Sequence, residues 1–157
     1  MPDRLYGDKF QQDLAAVMSD LRARYRLPLW AVGTSRGALS AAVAAAYVSP
    51  PPDGIVLTSS LTGPSATGDL QSVALESVDV PALVVTNKDD ECPFSKPDDS
   101  KALKLRFTAS PTVHVMIFDG GSAPLSEACE PLAGHGYFGI EQKVIEAIST
   151  WIKKAVP

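Results

Sequence analysis

Cysteine, histidine and charge are all scarce in this chain. Its 157 residues hold two cysteines and two histidines, and charged side chains make up 20%. Two cysteines exclude a zinc site built on four thiolates and leave room for one disulfide at most. Fourteen Lys and Arg stand against eighteen Asp and Glu, a net charge of -4, and the basic residues form no run. A phosphate backbone or an anionic membrane surface is bound through basic patches, so neither nucleic acid nor membrane is an expected partner. Long hydrophobic runs are missing too. The small-residue stretch 38–48 is Ala-rich and falls short of the roughly 20 residues a spanning helix needs. The polar, acidic residues 1–13 lack the apolar segment of a secretory leader, so the chain as it stands reads as soluble.

What is present suffices for a core, because 45% of the residues are hydrophobic. At about 100–200 residues per domain the length fits one domain over 1–157. Phe10, Leu14, Val17, Met18, Leu21 and Tyr25 recur at spacings of three and four, which predicts an amphipathic helix over 8–25. Asp8 and Gln11 have the spacing of a capping box, and Pro28 marks the other end. Residues 29–32 then form a short apolar run, 33–37 a turn, and 38–48 a helix closed by three prolines.

Residues 55–58, 82–86 and 113–118 are β-rich and nearly all apolar, as parallel strands buried on both faces are. Helices are expected over 100–107 and 140–156, the latter with Ile140, Val144, Ile145, Ile148, Trp151 and Ile152 on one face. The Ser, Thr and Gly-rich stretch 61–80 reads as a loop with one helical turn around 69–75. Strands alternating with helices predict an α/β fold, a mostly parallel sheet of about four strands flanked by helices.

Gly33-Thr34-Ser35-Arg36-Gly37 matches G-x-S-x-G and falls between a predicted strand and a predicted helix, the context of a nucleophile elbow. There the glycines on either side allow a tight turn that lifts the serine hydroxyl above the strand end. The backbone N–H of Arg36 then faces the same space as an oxyanion donor. Serine needs a base and a group to orient it, in the chain order Ser, Asp, His. His114 lies inside a predicted strand, as a packed or edge residue, which leaves His135, before the last helix, as the base. Asp89 and Asp90 directly follow the third strand, and either fits the acid's place.

Together the elbow, the run Val84-Val85-Thr86-Asn87-Lys88-Asp89-Asp90-Glu91-Cys92, and Cys129-Glu130-Pro131 with Gly134-His135-Gly136-Tyr137-Phe138-Gly139 resemble bacterial α/β-hydrolase-fold proteins. The resemblance runs over about 8–151. It implies Ser35 as nucleophile, His135 as base and Asp90 as acid, with Asn87 standing where the fold usually has glycine. It supports a disulfide between Cys92 and Cys129, tying the acid loop to the base loop. Such a bond belongs to an oxidising compartment, periplasmic or extracellular.

The chain resembles the C-terminal portion of such an enzyme. The strands that normally precede the first helix, and the second oxyanion donor they supply, have no counterpart in it. No lid domain is expected, so the site should be open to solvent. The strand 29–32 would then be an uncovered edge, which leads to an expectation of a homo-oligomer or of association with a separate N-terminal fragment.

The leading expectation is therefore a serine hydrolase, esterase-like, acting on a small acyl substrate without cofactor or metal. The alternative is a truncated, weakly active or non-catalytic remnant serving as a folding or assembly module. A nucleotide-binding reading fails because the turn is neither G-x-G-x-x-G nor a P-loop.

Overall fold

The computed structural model describes residues 7–65 and 68–155. Its elements are α1 (Asp8–Arg24), β1 (Trp30–Thr34), α2 (Arg36–Tyr47), β2 (Gly54–Thr58), β3 (Ala82–Asn87), α3 (Pro97–Ala102), β4 (Val113–Phe118) and α4 (Glu141–Ala155). The four strands form one parallel sheet in the order β1-β2-β3-β4, so each strand lies beside its neighbour in sequence. The expected α/β class and four-stranded parallel sheet are what the chain adopts.

The strand period of two sorts the core into two layers. Ile55 and Leu57 of β2 and Ala82 and Val84 of β3 pack with Leu39, Ala42 and Val43 of α2. Val56, Leu83 and Val85 point the other way, onto Val144 and Trp151 of α4. Every residue of β2 and β3 is buried, which explains their unbroken apolar sequence, whereas β1 and β4 are the edges and are half-exposed. Trp30 meets Trp151 edge to face at 5.5 Å, closing the α4 layer at the β1 end.

Several boundaries differ from expectation. The capping box does not form: Gly7 is the N-cap of α1 and no side chain caps it. On that helix Met18 is buried and Leu14 packs beside it, but Val17, and Tyr25 just past the helix end, are exposed, because a narrow stripe suffices to cover α2. The helix expected over 100–107 is α3 followed by a 3-10 turn at Leu103–Arg106, since Pro97 sets the start one turn earlier. On α4, Ile145 faces solvent.

The stretch 61–80 is more than a surface loop, although residues 66 and 67 lie outside the described residues. Its Leu61, Leu70, Val73, Leu75 and Val78 are buried, and 3-10 turns form at Leu70–Ser72 and Leu75–Ser77. Arg106 donates to the carbonyls of Leu70 and Val73, holding it down. Residue 156 of the expected last helix also lies outside the described residues. Among the described residues no helix is long and apolar enough to cross a membrane.

Candidate active site

β1 ends at Thr34 and α2 begins at Arg36, so one residue must reverse the chain. Ser35 does this at φ 54° and ψ −115°, a backbone conformation that a side chain makes costly. Gly33 makes the turn possible, because a side chain there would run into the carbonyl of Gly37. Gly37 itself has open space at its Cα, so the expectation that both glycines are needed for close approach holds for one of them only. The Ser35 N–H donates to the Thr58 carbonyl at 2.9 Å, anchoring the turn to the end of β2. Arg36 heads α2, where the first N–H groups are left over by the helix's own ladder and favour negative charge.

At the end of β3 the Asn87 carbonyl accepts the Asp90 N–H at 3.2 Å, closing a turn. The Asn87 side chain works in both directions, accepting from the Asp89 N–H at 3.1 Å and donating to the Gly134 carbonyl at 2.9 Å. The asparagine in the usual glycine position thus shapes the acid turn and tethers the histidine turn. Asp89 turns aside, its carboxylate accepting the Gly120 N–H at 2.8 Å. Asp90 is buried: Oδ1 accepts the Cys92 N–H at 2.9 Å, and Oδ2 lies 3.0 Å from His135 Nδ1.

Ser95 completes this cluster. Its hydroxyl is 2.6 Å from Asp90 Oδ2 and 3.0 Å from His135 Nδ1, and the residue is fully buried. Nothing in the sequence singled it out, because the five-residue separation from Asp90 follows no period.

His135 follows β4, the far edge of the sheet, yet the segment carrying it reaches back over β3 to the end of β2. Three contacts bring it there. The Tyr137 hydroxyl donates to the Val85 carbonyl at 3.0 Å and accepts from the Ser59 N–H at 3.2 Å, while the Ser59 hydroxyl donates to the His135 carbonyl at 2.7 Å. Burial pushes the Tyr137 phenol up to about 12. A disulfide joins Cys92 to Cys129, linking the acid loop to this segment.

Ser35 and His135 are therefore both tied to the end of β2, one at Thr58 and the other at Ser59. Asp90 and His135 meet; Ser35 and His135 make no hydrogen bond. His135 Nε2 is buried without a partner among the described residues. In unliganded sites such bonds are often long and close only when substrate is bound. The openness expected of the site applies to Ser35, which is half-buried, whereas His135 is 4% exposed.

Asp90, Cys92 and His135 also place a carboxylate, a sulfur and a ring nitrogen close enough to share a metal ion. The donor chemistry argues otherwise, since the Cys92 sulfur is committed to a disulfide and the Asp90 and His135 atoms to each other. The pocket beside the acid loop has a volume of about 430 Å³ and includes Asp89, Glu91, Gly134 and Phe138 among its walls. Neither Ser35 nor any α2 residue lines it.

No family model matches the chain, and no curated protein matches it in sequence. Solved structures do. TT1662 from Thermus thermophilus superposes with a TM-score of 0.62 at 17% identity, over 90% of this chain and 61% of that one. A sugar hydrolase from Lactococcus lactis gives 0.63 at 16% identity, over 96% and 70%. A thermostable esterase gives 0.59 at 18%, over 90% of this chain and 36% of its own. The chain thus spans less than two thirds of TT1662 and of the esterase. Identities this low establish the fold, which is α/β-hydrolase-like.

Proposed function

We propose that the chain is a serine hydrolase acting on a small acyl ester, with Ser35 as nucleophile, His135 as base and Asp90 as the acid that orients it. The observation that carries this reading is the buried Asp90–His135 pair at the sheet end where Ser35 is held in a strained turn. The hydrolase and esterase descriptions of its structural neighbours are consistent with it.

In this reading the Ser35 hydroxyl attacks the carbonyl carbon as its proton passes to His135 Nε2. The Arg36 N–H stabilises the oxyanion, the leaving alcohol takes the proton from Nε2, and the acyl group remains on Ser35. Water then attacks the acyl enzyme, gives its proton to Nε2, and the acid departs as Ser35 recovers its hydroxyl proton. Asp90 holds the Nδ1 side of the ring throughout, and no cofactor enters. The test is a series of esters of increasing acyl length, assayed beside the Ser35→Ala variant. Hydrolysis that survives unchanged in Ser35→Ala overturns the assignment.

One observation favours the second reading, a weakly active or non-catalytic module: His135 Nε2 makes no hydrogen bond to Ser35. A chain that is inert to every ester and to a serine-directed phosphonate supports that alternative.

The proposed partner is a second copy of the chain. Along β1, Leu29 accepts the Asp53 N–H and Ser35 donates to Thr58, so odd-numbered residues face β2 and the backbone groups of Trp30, Val32 and Thr34 face outward. Val32 is 55% exposed. An identical edge run antiparallel satisfies those groups reciprocally, about a two-fold axis.

A further inference from the structure

We infer that Ser95 is a positioning residue that holds the His135 ring and its Nδ1 proton in place against Asp90, an inference that rests on the proposed hydrolase reading for its catalytic consequence. Three polar atoms form a closed triangle: Ser95 Oγ to Asp90 Oδ2 at 2.6 Å, Asp90 Oδ2 to His135 Nδ1 at 3.0 Å, and Ser95 Oγ to His135 Nδ1 at 3.0 Å. A carboxylate only accepts, so the Ser95 hydroxyl proton is directed to Oδ2. The lone pairs of the same oxygen then face Nδ1, and only a hydrogen on Nδ1 satisfies both neighbours at once. Nδ1–H is shared between the carboxylate and the hydroxyl, which leaves the lone pair on Nε2, the atom a general base uses.

The alternative tautomer sets the Nδ1 lone pair against a carboxylate oxygen in a site closed to water. That repulsion is expensive where both groups are buried. Asp90 alone would favour Nδ1–H, but one carboxylate oxygen leaves the ring free to rock about that contact. A second acceptor beside the first fixes the ring in a plane.

Ser95 is itself held firmly. Its N–H donates to the Cys92 carbonyl at 3.1 Å, and the Thr62 and Gly63 N–H groups both donate to the neighbouring Phe94 carbonyl, at 2.8 and 3.1 Å. The acid turn is thereby fastened to the loop after β2, on the nucleophile's side of the sheet, as well as through Cys92 to Cys129. The packing that places Ser95 is the same packing that places Asp90.

The experiment is nitrogen and proton NMR of the histidine ring in the full chain, compared between wild type, Ser95→Ala and Ser95→Thr, with ester kinetics alongside. In the wild type the proton sits on Nδ1 and exchanges slowly with water. Ser95→Ala speeds that exchange at least about tenfold and lowers kcat about ten- to a hundredfold with little change in KM, the scale of one hydrogen bond to a charged group. Ser95→Thr, which keeps the hydroxyl, restores slow exchange. A wild-type proton on Nε2 overturns the inference, as does a Ser95→Ala variant with unchanged exchange or unchanged kcat. A wild-type chain that hydrolyses no ester overturns the hydrolase reading instead, while the spectra still decide the placement of the ring proton by Ser95.

Discussion

The hydroxyl of Ser59 donates to the backbone carbonyl of His135 at 2.7 Å, across 76 positions of sequence. Together with the Ser59 N–H donated to the Tyr137 hydroxyl, it fastens the histidine turn to the end of β2. Ser59 itself sits at φ 42° and is fully buried, so its side chain has no solvent to fall back on. Ser59→Ala leaves the carbonyl without that partner and lowers unfolding free energy by about 1–3 kcal/mol. Urea denaturation reads this directly, and an unchanged midpoint contradicts it.

Substitution separates the two carboxylates of the acid turn. Asp90→Asn lowers turnover by about a thousand- to ten-thousandfold, because the amide cannot hold the ring in its working tautomer. Asp89→Asn keeps an acceptor for the Gly120 N–H and leaves turnover close to wild type. Ser35→Ala and His135→Ala each abolish labelling by a serine-directed phosphonate. Equal losses in the two aspartate variants contradict the assignment.

The disulfide closes a loop across a sequence separation of 37. In the chain-entropy model its reduction costs about 4 kcal/mol, an upper guide. Thiol titration of the denatured, unreduced chain finds no free thiol, and denaturation with and without reductant gives the difference. Two titratable thiols refute the bond in the isolated protein.

Tyr137 makes stability depend on pH at the alkaline end. Its pKa is pushed up to about 12, first by burial, against an ordinary value of 10.0. Below pH 10 both folded and unfolded chains hold the proton and the contribution is complete. Between pH 10 and 12 the unfolded chain ionises first, and about 2–3 kcal/mol is lost. Tyrosinate absorbance shows one tyrosine titrating late, and Tyr137→Phe removes this component of the alkaline loss. A chain whose tyrosines all titrate together near 10 contradicts it.

Light scattering at micromolar concentration tests the pairing of β1 edges. The expected species is a dimer, and Val32→Lys, which places a charge on the exposed edge, returns it to monomer. A monomeric wild type defeats the proposal, and broad aggregates point instead to a separate fragment that normally covers this edge.

Fold class was legible because β2 and β3 are short, β-branched apolar runs alternating with helical segments such as α2, a run of small helix formers. The elbow was legible because glycine punctuates it. Asp90 is favoured over Asp89 by its place in the turn, but both occupy one turn, and it is the positions of Gly120 and Cys92 in space that send the Asp89 carboxylate aside and the Asp90 carboxylate inward. Ser95, Asn87 and Ser59 escaped for the same reason. Their roles are set by partners 40, 47 and 76 positions away, and no local pattern encodes such distances.

The sheet order follows the chain order from β1 to β4. A chain emerging from the ribosome N-terminus first can lay each strand beside the one before it, with no gap kept open for a later arrival. The proposed site is assembled on a different schedule. Ser35 follows β1, but His135 is made one hundred residues later and reaches back from the far edge to the end of β2. β1 to β4 are all made before the proposed base exists, and a polypeptide cut before Gly134 lacks both His135 and α4, the helix that covers Val56, Leu83 and Val85. In the proposed reading the site is completed only after the last strand of the sheet has been made.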